Sequence, residues 1–132
     1  MKGDGSARPT DAELAILRVL WRDGPSTVRT VHEAAKGPKG QGYTTILKLL
    51  QIMAAKGLVD RDESGRSHVY RARRPEGETQ GRLLDDLMER AFGGSASRLV
   101  MQALASKRAT PEDLAEIRRR IDELAGTGGG EP

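Results

Sequence analysis

A 132-residue chain without cysteine excludes disulfide cross-links, thiolate metal sites and a cysteine nucleophile, and its length allows one domain, or one small domain with an appendage. Only 3% of the residues are aromatic, so any core is aliphatic, and no apolar run approaches the ~18 residues of a membrane span. The formal net charge of +3 is unevenly spread: residues 1–75 hold 14 Lys/Arg against 8 Asp/Glu, whereas residues 76–132 hold 8 against 11. A basic front suits a polyanionic partner and an acidic rear a different task, although surface drift also produces imbalances of this size. No secretory leader pattern is present, and a cytoplasmic protein is expected.

In chain order, residues 1–9 include Gly3, Gly5 and Ser6 without an apolar pattern and read as a disordered lead-in. Thr10 and Glu13 have capping-box spacing, in which hydroxyl and carboxylate each satisfy an orphan backbone N–H. A helix is expected over 11–22, with Leu14, Leu17, Leu20 and Trp21 as its apolar side, Trp21 as a core anchor and Gly24-Pro25 as its stop. Ser26 is expected to cap a second helix reaching residue 36, with Val28, Val31 and Ala35 buried. The Gly- and Pro-rich loop over 37–42 carries Lys39, which suits either a phosphate contact or a plain connector.

Residues 42–57 read as a third helix with two unlike faces. Ile46, Leu49, Leu50 and Met53 recur at the spacing of a buried stripe, and Gly57 closes the helix. Thr44, Thr45, Lys48 and Gln51 gather on the other side with no acid among them. Such side chains hydrogen-bond to phosphates and base edges, although an ordinary solvated face has the same composition. Two short strands then flank Ser64-Gly65-Arg66. Alternation puts Val69 on one face and His68 and Tyr70 on the other, and Gly65 is expected to supply the positive φ of a tight turn. Arg66 at the tip, with Arg61, Arg71, Arg73 and Arg74 nearby, makes this hairpin a basic arm suited to a phosphate backbone.

Beyond Pro75 three helices are expected, over 78–92, 95–107 and 111–125, with Ser95 and Thr110 as N-caps and Pro111 in the first turn. Their apolar stripes include Leu83, Leu84, Leu87 and Met88, then Leu99, Val100, Ala103 and Leu104, then Leu114, Ile117, Ile121 and Leu124. The last has the 3-4-3 spacing of a coiled-coil seam. About 50 residues alone bury little of this surface, so a homodimer is expected, with packing onto the front half as the competing arrangement. Residues 126–132 read as a Gly-rich disordered tail.

No HExxH, GxSxG or phosphate-cradling Gly-rich motif occurs, and Asp85-Asp86 and Asp122-Glu123 diverge on their helices, so no enzyme is expected. His32 and His68, without cysteine or a paired carboxylate, make a poor metal site, and neither metal nor cofactor is expected.

The order of these pieces, from residues 13–21 (ELAILRVLW) through 43–50 (YTTILKLL), 56–59 (KGLV) and 65–71 (GRSHVYR) to 92–95 (FGGS) and Leu99-Val100, resembles the penicillinase-repressor family, the BlaI/MecI type of bacterial transcriptional repressor. The resemblance spans about residues 8–125. It implies a mainly α fold with a small β-hairpin: an N-terminal winged helix-turn-helix over 10–75 and a C-terminal three-helix dimerisation region over 76–125. It also implies an operator-binding homodimer, not inserted in a membrane, that represses until an inducing signal such as cell-wall or β-lactam stress releases it. By position, Thr44, Thr45, Lys48 and Gln51 match the recognition helix, while Arg61, Arg66, His68 and Arg71 match the wing. The expected dimer contacts are Leu83, Leu87, Leu99, Val100, Leu104, Leu114, Ile117, Ile121 and Leu124. A membrane sensor-protease is the partner of some members and cuts an Asn-Phe bond. Here that bond aligns with Gln102-Ala103, so its residues are not retained, and the C-terminal cysteines of the copper-responsive branch are absent. Two other functions fit the same elements: a winged-helix regulator of another class with a small-molecule effector, and a winged-helix protein-interaction adaptor. Salt dependence separates DNA binding from an apolar protein interface.

Overall fold

The computed structural model describes Gly3 and residues 7–35 and 41–129, the last three without their side chains. These residues form α1 (Asp11–Asp23), β1 (Ser26–Thr27), α2 (Val28–Ala34), α3 (Tyr43–Lys56), β2 (Val59–Asp62), β3 (Val69–Ala72), α4 (Glu76–Phe92), α5 (Ala96–Ala105) and α6 (Pro111–Gly129). The architecture is mostly helical with one small antiparallel sheet, that of a winged helix followed by helices. Two compact units divide within α4, between Leu83 and Leu84.

The capping box forms as its spacing predicts: Thr10 Oγ1 accepts the Glu13 N–H at 3.2 Å, and Glu13 Oε1 accepts the Thr10 N–H at 2.9 Å. The buried side of α1 is broader than the expected stripe. Ile16 and Val19 are buried with Leu17 and Leu20, while Leu14 and Trp21 lie at the margins, partly exposed. The cause is that α2, α3 and β3 all pack on this helix, so it is covered over more than one narrow line. Trp21 does anchor the chain, because its indole N–H donates to the Arg74 carbonyl at 3.0 Å.

Ser26 is not the cap of α2. Thr27 takes that place, its side chain accepting the Thr30 N–H at 3.2 Å, and α2 ends at Ala34. Ser26 and Thr27 instead form β1, opposite Tyr70 and Val69 of β3. The hairpin expected from sequence is therefore part of a three-stranded sheet in the order β1-β3-β2. Tyr70, placed by alternation beside His68, is fully buried among Ile16, Val28 and Val59, whereas His68 lies outside the strand and is exposed. Gly65 does not adopt a positive φ. Six residues, 63–68, separate the strands, and a loop of this length turns without a left-handed residue. Its first bend is held by Asp62, whose Oδ1 accepts the Ser64 N–H at 2.9 Å.

Gly57 ends α3 as expected, with φ +83°. The Leu58 N–H reaches back to the Met53 carbonyl at 2.9 Å, which turns the chain straight into β2. Ile46, Leu50 and Met53 meet Ile16, Leu17, Leu20, Val31, Leu58, Val59 and Tyr70 in one core, and Leu49 is partly buried against it. Within the expected lead-in, Gly3 is docked: its N–H donates to the Ala55 carbonyl at 2.6 Å, and its carbonyl accepts from Arg73 at 3.2 Å. Only glycine fits there, since a Cβ would overlap the Lys56 carbonyl. Residues 1, 2 and 4–6, residue 36 at the expected end of α2, residues 37–40 of the expected Lys39 loop, and residues 130–132 lie outside the described residues.

In the rear unit, Ser95 and Thr110 cap α5 and α6 as the sequence indicates: Ser95 Oγ accepts the Arg98 N–H at 3.1 Å and Thr110 Oγ1 the Asp113 N–H at 3.0 Å. Gly93 and Gly94, with φ of +57° and +80°, make the turn before α5. Helix α6 runs to Gly129 and so takes in residues 126–129 of the stretch expected as a disordered tail; glycine weakens a helix but, unlike proline, keeps the backbone N–H that continues it. No described side chain of α4, α5 or α6 is buried.

Candidate nucleic-acid interface

The interface starts from α3. Its sequence holds no acid, and the buried stripe fixes which side faces outward, so Thr44, Thr45, Lys48 and Gln51 are all exposed together. Lys48 makes no ion pair among the described residues, which leaves its ammonium available. The helix is held at its far end by an ion pair that sequence reading missed. Lys56 Nζ lies 2.9 and 2.8 Å from the two carboxylate oxygens of Glu13, whose side chain is only 2% exposed. One carboxylate thus caps α1 and tethers α3. The capping motif had already accounted for Glu13, so nothing in the sequence pointed to a partner 43 residues away.

Tyr43 was also missed. It opens α3 beside Thr44, is 48% exposed and sits edge-on to His32 of α2 with ring centroids 5.9 Å apart. The available signal was an aromatic residue at the start of a polar face. Ile52, at 39% exposure, leaves an apolar spot on the outer side of the same helix.

The wing is less basic than its composition. Arg61 lies 2.8 Å from Glu63, and His68 Nε2 lies 3.7 Å from the same carboxylate. Asp60 is 2.8 Å from Arg73 and 4.0 Å from Arg71. Arg74 pairs with Glu78 at 3.5 Å. Of the expected basic arm, Arg66 at the tip carries no ion pair among the described residues. The Ser64 backbone N–H, and then its hydroxyl, hold the Asp62 carboxyl below its ordinary pKa, so Asp62 stays ionised while shaping the loop.

The family is decided by comparison of the chain with known proteins. The penicillinase repressor family matches residues 9–123. The chain belongs to that family. It is 32% identical over 123 residues to the transcriptional regulator BlaI of Mycobacterium tuberculosis, covering 92% of this chain and 88% of that protein, in both strain CDC 1551 / Oshkosh and strain ATCC 25618 / H37Rv. It is also 21% identical over 114 residues to the penicillinase repressor of Bacillus licheniformis, covering 86% of this chain and 89% of that one. The family is one of transcriptional repressors, not of enzymes.

In this repressor-family chain none of the expected dimer residues is buried. Leu87, Val100, Leu114, Ile121 and Leu124 are exposed, while Leu83, Leu99, Leu104 and Ile117 are partly covered. Gln102 and Ala103 are exposed but helical, inside α5. Among the described residues no three His, Asp or Glu side chains gather as a metal site, and no helix is long and apolar enough to cross a membrane.

Proposed function

We propose that the protein represses transcription as a homodimer bound to a pseudo-palindromic operator. The observation that carries this reading is the outward, acid-free face of α3, set beside a wing whose tip presents Arg66. Each protomer lays α3 in a major groove, where Thr44, Thr45, Lys48 and Gln51 meet base edges and phosphates. Arg66 touches the flanking backbone and adds affinity without sequence preference. The uncovered apolar stripes of α4, α5 and α6 support a second copy as the partner of the rear unit, with half-sites about one helical turn (~34–36 Å) apart. Release by a sensor protease at Gln102-Ala103 would first require α5 to unwind, because that bond lies inside a helix.

The test is fluorescence anisotropy of the purified protein with its own upstream DNA and with a scrambled duplex, over a range of salt. Operator binding at least ~10³-fold tighter than the scrambled control is expected. Arg66→Ala should weaken both complexes and lower the salt slope by about one unit. Equal, weak binding to both duplexes would displace the repressor mechanism in favour of a protein-interaction adaptor.

A further inference from the structure

Three carboxylates, Asp60, Asp62 and Glu63, sit on a hairpin that is proposed to meet a polyanion. Two of them serve the fold itself. Asp60 grips Arg73 at 2.8 Å, and Arg73 in turn reaches the Gly3 carbonyl; Asp62 accepts the Ser64 N–H that bends the loop. Glu63 has no such task. Its contacts among the described residues are Arg61 at 2.8 Å and His68 at 3.7 Å, two of the wing's own candidate phosphate ligands. Glu63 and His68 are about half exposed and Arg61 about one-third, so these ion pairs contribute little to stability. Their electrostatic effect on an approaching phosphate is larger, since a carboxylate there both repels it and cancels a neighbouring cation.

We infer that Glu63 is a specificity-determining residue: it neutralises Arg61, and leaves Arg66 as the wing's phosphate contact. This rests on the DNA-binding reading above. Phosphate contacts supply essentially all of the affinity for non-operator DNA. Holding their number down on the wing leaves the base contacts of α3 to dominate retention on DNA.

The experiment titrates the full-length protein with a mixed-sequence DNA duplex across a salt series at constant pH. Glu63→Gln should steepen the salt slope by about 0.9, one more phosphate neutralised, and tighten binding roughly five- to tenfold at 0.1 M salt. Adding Arg61→Gln to that variant should return the slope to the wild-type value. Asp11→Asn, which removes the same charge from the exposed start of α1, should leave it unchanged. A Glu63→Gln slope equal to wild type overturns the inference. So does a double variant as steep as Glu63→Gln, or an Asp11→Asn variant as steep, since either would reduce the effect to something other than release of Arg61. A wild-type protein with no salt-dependent binding would instead overturn the DNA-binding reading itself, a result distinct from these.

Discussion

The two units of this chain solve burial in opposite ways. The front unit closes an aliphatic core around Leu50, Met53, Val31 and Tyr70, all fully buried in one copy. The rear unit has stripes as regular as those of α3, yet Ile121 is 54% exposed and Leu124 57%, and none of its described side chains is buried. The difference lies in what each stripe meets. Helix α3 is packed by α1, α2 and β2 within a single chain. The stripes of the rear helices meet no such cover among the described residues, and uncovered apolar area of this kind is what the proposed dimer would use.

The strongest way to break this contrast is at the seam. Ile121→Asp should yield a monomer by sedimentation and weaken operator binding by about 10²-fold or more, because independent half-site binding loses the effective-concentration advantage. A dimer that survives this change moves the interface elsewhere. Leu50→Ala should do the reverse. It removes a fully buried side chain and should cost about 2–5 kcal/mol in denaturant unfolding, at every protein concentration, without changing the oligomeric state.

A smaller effect sharpens the role of the tether in the front unit. Lys56→Ala leaves the Glu13 carboxylate buried without its cation, a change that costs ~3–5 kcal/mol when both partners are buried. Because Lys56 is itself 31% exposed, water replaces part of the loss, and about 1–3 kcal/mol is expected from urea midpoints. A variant as stable as wild type would remove the tether as a determinant of how α3 is held.

The smallest effect concerns the wing loop. The folded-state pKa of Asp62 is depressed, so its stabilising contribution is present above the ordinary carboxylate pKa of ~3.9 and is lost as pH falls through the folded value. The Tm difference between wild type and Asp62→Ala should therefore be present at neutral pH and close as the solution becomes acidic. A difference that persists unchanged to low pH would show that the carboxylate is not what holds the bend.

What could be read from the sequence was what neighbouring residues settle among themselves. The Thr10/Glu13 box, the Gly57 stop, the Ser95 and Thr110 caps and the stripe of α3 all operate within about one or two turns, so spacing alone exposes them. Spacing also gave the order of elements and the outward residues of α3, and the family resemblance, which rests on that order, then implied a role for them. The misreadings arose where distant segments compete for the same residue. Ser26 is a good cap in isolation, but pairing with β3 claims it as a strand. Alternation put His68 on the same face as Tyr70, but the core takes Tyr70 while His68 falls in the exposed loop before β3.

Charge shows the same division. Composition determined that the wing is rich in arginine, and only the tertiary structure decided which of these cations stand beside carboxylates: Arg73 and, more distantly, Arg71 beside Asp60, and Arg61 beside Glu63. Lys56 reads as the last residue of a helix, and folding brings it to a carboxylate 43 residues earlier. The physical reason is range. Caps and stripes are fixed by contacts within a few residues, whereas ion pairs depend on which surfaces the fold brings within about 4 Å, and no local pattern encodes that distance.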